Sequence, residues 1–179
     1  SDVWANKALF LLDQKHAPVS VAGVPPDYFC EDGQLWGNPL YDWERMTKDG
    51  YAWWCDRVQF QLEIFDGLRI DHFRGLSAYF AIPADAPNAK SGRWVKGPGM
   101  DLIVRLREVA KDALIIAEDL GDIDEDAAAL VRESGFPGMR VFQFAFLNDE
   151  NPHMPHNYVE NCIAYSGTHD NTTLADWLK

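Results

Sequence analysis

The stretch Gly67-Leu-Arg-Ile-Asp-His-Phe-Arg-Gly75 places an aspartate directly after a short apolar run. Leu68 to Asp71 reads as a strand, and a charge at the end of a buried strand costs free energy unless it is paired or used. Arg69 and Asp71 lie two residues apart, so they project from the same face of an extended chain. Pairing with Arg69 would keep Asp71 ionised. Taken alone, a salt bridge to Arg69 or Arg74 is as good an account of Asp71 as any chemical role.

Two further strands end in the same way. Leu114 to Ala117 runs into Glu118, within Asp112-Ala-Leu-Ile-Ile-Ala-Glu-Asp-Leu-Gly-Asp122. Ile163 to Tyr165 runs toward His169 and Asp170. Each acid has a plain reading by itself: a charged turn at Glu118-Asp119, and a helix cap at Asp170 beside Asn171 and Thr172. A fourth strand is predicted around Val141 to Phe144. Between these strands the pattern turns helical. It does so from Tyr41 to Phe65 with a break at Gly50, from 100 to 111, and toward Ser134 behind an Asp122 or Asp124 cap. Trp54, Val58, Gln61, Leu62 and Phe65 fall on one helical face.

Short apolar strands alternating with helices imply βαβ units and a parallel sheet. A (β/α)₈ barrel and a doubly wound sheet both satisfy that pattern. No glycine-rich phosphate loop follows any strand, which favours the barrel. In a barrel, acids at the C-terminal ends of strands converge on one rim. Two carboxylates flanking a bond are what glycoside chemistry requires, and a third can hold sugar hydroxyls.

The remaining chain reads as loops. Residues 11–40, with Pro25, Pro26, Gly23, Gly33 and Gly37, are expected to form a long lid-like loop, and its aromatics argue for order. Ser77 to Pro83 reads as a strand leading away, and 84–99 as a second polar loop. No second domain and no repeat is expected in 1–179.

The 179 residues carry a net charge of −12 and 47% hydrophobic side chains. That composition supports a folded core and argues against nucleic acid and anionic membrane partners. Cys30, Cys55 and Cys162 have no CxxC spacing and fit free thiols in a reducing, cytoplasmic setting. No apolar run is long enough for a membrane helix, and no signal peptide is visible. His153 and His156 lie among prolines and lack the further ligands of a metal site. No metal and no cofactor is expected. The seven Trp, six Tyr and ten Phe suit a sugar site where some of them are exposed beside polar groups.

Five stretches together carry a resemblance to a known family: AGVPPDYFCEDGQLWGNPLYDW, GLRIDHFRG, IIAEDLGDI, GFPGMRVFQFAF and SGTHDNTT. The chain resembles the 4-α-glucanotransferases called amylomaltases or disproportionating enzymes, relatives of the α-amylases with a (β/α)₈ barrel. The resemblance implies an internal segment of that barrel, holding approximately strands four to seven. It implies Asp71 as nucleophile, Glu118 as general acid/base, and Asp170 as the transition-state-stabilising acid with His169 beside it. Arg69 would support the nucleophile, and His72 would contact the neighbouring glucose. Asp27, Tyr28, Phe29 and Trp36 would line or cover the glucan path. The substrates implied are α-1,4-glucans and maltooligosaccharides. The alternatives are an α-amylase-type hydrolase and an inactive glucan-binding fragment. An incomplete barrel would leave open strand edges that invite self-association.

Overall fold

The computed structural model describes residues 2–27, 30–121 and 123–179. The described residues form eight strands: β1 (Ser20–Val24), β2 (Gln34–Pro39), β3 (Gly67–Ile70), β4 (Ala78–Pro83), β5 (Arg93–Lys96), β6 (Leu114–Ala117), β7 (Gly138–Val141) and β8 (Cys162–Tyr165). The helices are α1 (Asp2–Ala5), α2 (Trp43–Lys48), α3 (Ala52–Leu62), α4 (Met100–Ala110), α5 (Glu125–Ser134) and α6 (Leu174–Trp177).

Strands β3 and β6 are parallel, with Ile70 paired to Ala117 at the end of the ladder. Strands β7 and β8 form a second parallel pair, Val141 opposite Tyr165. The two pairs meet at β6 and β7, where the Ala117 N–H donates to the Pro137 carbonyl at 2.9 Å. The parallel strands therefore form two separate two-stranded ladders that meet at one hydrogen bond, not a single four-stranded sheet.

Helices α3, α4 and α5 cover this sheet. Leu102, Ile103 and Leu106 of α4 have no exposed surface and pack with Val58, Phe73, Ile115, Ala117 and Leu130. Each such aliphatic side chain contributes roughly 1.5–3 kcal/mol on burial. The helical region before β3 breaks at Gly50 and Tyr51, whose φ values are +67° and +60°. Phe65 lies past the end of α3 and is exposed, so the apolar face read from the sequence stops at Leu62.

Three expectations need correction. Residues 11–40 are not a structureless loop: they contain β1 and β2, which pair antiparallel. Residues 84–99 contain β5, antiparallel to β4. Together these strands form a four-stranded sheet in the order β2-β1-β4-β5, with its own core of Val21, Phe80, Ile82 and Ala89. Glycine and proline masked the strands locally. Gly23 stands at a bulge where a Cβ would lie 2.1 Å from the Gln34 carbonyl, and the second partner of β1 is β4, far along the chain, with Val21 opposite Ile82. The strand expected at Val141 to Phe144 instead spans Gly138–Val141 and continues into a 3-10 turn, Phe142–Phe144. Its apolar run passes from strand to turn without a change in composition. Among the described residues no helix is long and apolar enough to cross a membrane.

Candidate active site

Because Ile70 and Ala117 are the last ladder partners, the next residues of the two strands are Asp71 and Glu118. Both acids thus leave the sheet at the C-terminal ends of adjacent parallel strands, which lie about 4.8 Å apart. The backbone fixes them further. The Glu118 N–H donates to the Ile70 carbonyl, and the Phe73 N–H donates to the Glu118 carbonyl, each at 3.0 Å.

The two carboxylates sit in different surroundings. Asp71 is 77% exposed and faces Arg69, whose Nη1 and Nη2 both donate to Oδ1 at 2.5 Å. The cost anticipated for a buried aspartate does not arise, because the side chain opens toward solvent and is paired. Glu118 is half-buried. Its Oε2 accepts the His72 N–H at 2.6 Å and its Oε1 accepts the Leu120 N–H at 2.9 Å. Burial pushes the Glu118 carboxyl above the usual range, and the Asp71 charge adds to this. The two N–H donors and Arg69 pull the other way without cancelling the rise. Adjacent carboxylates in unlike environments are the arrangement that separates an acid from a nucleophile.

His72 adds a contribution that sequence reasoning missed, namely its backbone N–H on Glu118. That bond requires a left-handed conformation, φ +48°, ψ +52°, at a non-glycine residue. No side-chain signal announces it. Burial and the nearby Arg74 lower the His72 pKa, with Asp71 acting in the opposite sense.

Trp36 reaches the site from β2. Its ring meets that of His72 edge-on at 4.9 Å between centroids, and its Nε1 donates to Gln34 Oε1 at 3.0 Å. Trp36 is 42% exposed. Asp27 lies in the turn between β1 and β2, where its Oδ1 accepts the Cys30 N–H at 2.7 Å. Tyr28 and Phe29, expected to line the glucan path, lie outside the described residues.

Asp170 and His169 follow β8. Both side chains are exposed, and His169 Nε2 lies 3.4 Å from Asp170 Oδ2. Among the described residues neither makes a hydrogen bond or ion pair with Asp71 or Glu118. Asp170 does not cap the last helix: Thr173 does, through the Asp176 N–H at 3.2 Å. The turn carrying Asp170 is braced by Asn171 Oδ1, which accepts from the Thr168 N–H and hydroxyl at 2.8 and 3.0 Å. His153 and His156 serve the loop after β7. His153 Nδ1 accepts the Val141 N–H at 3.0 Å, and His156 Nε2 lies 3.0 Å from the Asp149 carbonyl.

Known proteins share this sequence and fold. A family model described as 4-alpha-glucanotransferase matches residues 1–179. The chain is 49% identical to the 4-alpha-glucanotransferase of Clostridium butyricum, an alignment that covers 100% of this chain and 37% of that protein. It is 52% identical to the chloroplastic/amyloplastic 4-alpha-glucanotransferase of Solanum tuberosum, covering 99% of this chain and 31% of the relative. Amylomaltase from Streptococcus agalactiae, solved in complex with acarbose, superimposes with a TM-score of 0.92 at 45% identity, over 98% of this chain and 36% of that one. The chain thus spans about a third of the length of these relatives. With the whole of its sequence matched and an α/β fold like that of amylomaltase, the chain belongs to the 4-alpha-glucanotransferase family.

Proposed function

We propose that the chain is the acid-bearing segment of a (β/α)₈ barrel, corresponding to approximately strands four to seven, with the β1–β2 hairpin as a lid on the acceptor side. The complete enzyme moves α-1,4-glucan segments to the 4-hydroxyl of an acceptor glucose or glucan. The observation that carries this reading is the pair Asp71 and Glu118, adjacent at two strand ends, one exposed and paired, the other half-buried with a raised pKa.

In this mechanism protonated Glu118 donates to the leaving glycosidic oxygen while an Asp71 oxygen bonds to the anomeric carbon. The donor bond breaks, its electron pair stays on the leaving oxygen, and a covalent glycosyl ester forms on Asp71. Esterification removes the Asp71 charge, which lowers the Glu118 pKa. Glu118 then takes the proton of the incoming 4-hydroxyl, and the new glycosidic bond forms as the ester breaks. The two inversions retain the anomeric configuration. Arg69 orients Asp71, and His72 contacts the neighbouring glucose while its N–H holds Glu118. Asp170 with His169 holds sugar hydroxyls in the transition state. Asp27, Tyr28, Phe29 and Trp36 line the glucan path.

Maltotriose is the test substrate for the complete enzyme. Oligosaccharides longer than the donor are expected, while glucose and maltose alone would mean hydrolysis. Asp71→Asn should abolish turnover with glucan binding largely intact, since an amide forms no glycosyl ester. Appreciable activity in that variant would remove Asp71 from its role.

A further inference from the structure

Strands β6 and β7 begin to pair and then stop, and the interruption has a specific cause. The Ala117 N–H reaches the Pro137 carbonyl at 2.9 Å. In a regular parallel pair the Met139 N–H would next return to the β6 backbone. It goes instead to the Asp119 side chain, Oδ1, at 2.7 Å. The next donor of β7 on that side, the Val141 N–H, is taken by His153 Nδ1. Side chains have replaced both ladder bonds.

The Asp119 carboxylate is built into this position. Its side chain is 13% exposed and that of Arg140 is 15% exposed, and Arg140 Nη1 donates to Asp119 Oδ2 at 3.3 Å. The same Nη1 donates to the Met139 carbonyl at 2.6 Å. Across from the carboxylate stands Gly138, where a Cβ would lie 2.5 Å from Asp119 Oδ2. Only a residue without a side chain lets the carboxylate lie flat against β7.

This contact is the missing half of the support for Glu118. The Glu118 backbone is held on its β3 side by Ile70 and Phe73. On its β7 side the anchor is the side chain of the next residue, Asp119. We infer that Asp119 is a positioning residue for Glu118, acting through the Met139 N–H across the cleft between β6 and β7. Gly138 is the clearance this requires, and Arg140 is the counter-charge. The inference rests on the acid/base reading of Glu118 given above.

The test compares two donors in the complete enzyme. Maltotriose needs a proton on its leaving oxygen; α-maltosyl fluoride, whose fluoride leaves readily, needs far less. A displaced acid lowers kcat/KM for the first and spares the second, whereas a loss of folded protein lowers both equally. Asp119→Ala removes the Met139 acceptor and the Arg140 counter-charge. Asp119→Asn removes the counter-charge but keeps an oxygen for Met139. The maltotriose-to-fluoride ratio of kcat/KM should fall about 10- to 100-fold in Asp119→Ala and stay close to the parent value in Asp119→Asn. An unchanged ratio in Asp119→Ala overturns the inference. So does an equal fall in both variants, which would assign the effect to charge rather than to the bond. Glu118→Gln is the reference for the underlying reading. Its ratio should fall further than that of Asp119→Ala, and if it does not fall, the acid/base assignment fails independently of Asp119.

Discussion

Removing the carboxylate of Asp124 separates two jobs that the structure gives to its two oxygens. Oδ1 accepts the Ala127 N–H at 2.8 Å and caps α5. Oδ2 accepts from Arg74 Nη2 at 2.6 Å. Arg74 is 6% exposed, and its guanidinium lies 4.1 Å from the ring centre of Trp94 on β5. The contact therefore links the segment carrying Asp71, the start of α5 and the antiparallel sheet. Loss of an N-cap costs about 1 kcal/mol. Loss of a charged hydrogen bond to a buried guanidinium costs about 1.5–3 kcal/mol, and the half-exposed aspartate holds the value to the lower end. Asp124→Ala should then lose about 2.5 kcal/mol. Asp124→Asn, which keeps the cap, should lose about 1 kcal/mol less. For a chain of this size about 2.5 kcal/mol corresponds to a fall in Tm of roughly 5–10 °C. Urea denaturation followed by circular dichroism, with calorimetry for Tm, measures both variants. A double-mutant cycle with Arg74→Met isolates the pair. A loss under about 1 kcal/mol in Asp124→Ala, or a coupling indistinguishable from zero, would refute the argument that this pair ties the layers together.

Three further outcomes are expected. The folded-state pKa of Glu118 is raised, so the stability linked to its protonated form is present below the ordinary glutamate value and is lost as pH rises through the folded pKa; measured by urea midpoint, Glu118→Gln should gain on the parent as pH rises through that range and hold a constant difference above it, and a difference that does not change with pH contradicts the shift. His153 is depressed by burial and by Arg140, so its stabilisation is present above the ordinary histidine value of 6.5 and declines as pH falls below it. His153→Gln, which retains an acceptor for Val141, should flatten that acid-side decline, and an unaltered slope between about pH 5 and 7 would point to another group. Trp36→Ala in the complete enzyme should shift products from transfer toward hydrolysis, as the proposed lid role of the ring beside His72 requires; an unchanged product ratio on maltotriose would show that the hairpin does not select the acceptor.

Much of the site was legible because its residues follow local rules. Apolar runs ending in Asp71 and Glu118 mark two strand ends, and the parallel ladder sets the two acids side by side as that alternation implies. The i, i+2 spacing of Arg69 and Asp71 predicts a shared face, and the ion pair is there. Of the two residues read as caps, Asp124 caps α5, and Asp122 lies outside the described residues. The antiparallel sheet was hidden, because its two local pairs, β1–β2 and β4–β5, join only through the β1–β4 pairing of Val21 with Ile82, about sixty residues apart. Local composition at Pro25, Pro26 and Gly33 reads as loop whichever way the chain turns.

What the sequence by itself determined is the set of chemical groups and their order: acids after strands, an arginine two residues before one of them, a tryptophan in a stretch rich in glycine and proline. What only the tertiary structure decided is how each group is solvated and held. Asp71 and Glu118 are both carboxylates after short apolar strands, and nothing in their neighbours says that one opens to water while the other is desolvated between two backbone N–H groups. Desolvation depends on what packs from distant parts of the chain, as do the left-handed turn at His72 and the interception of the β7 donors by Asp119 and His153. The residues carry the chemistry; the neighbours brought to them by folding set their proton affinities and their aim.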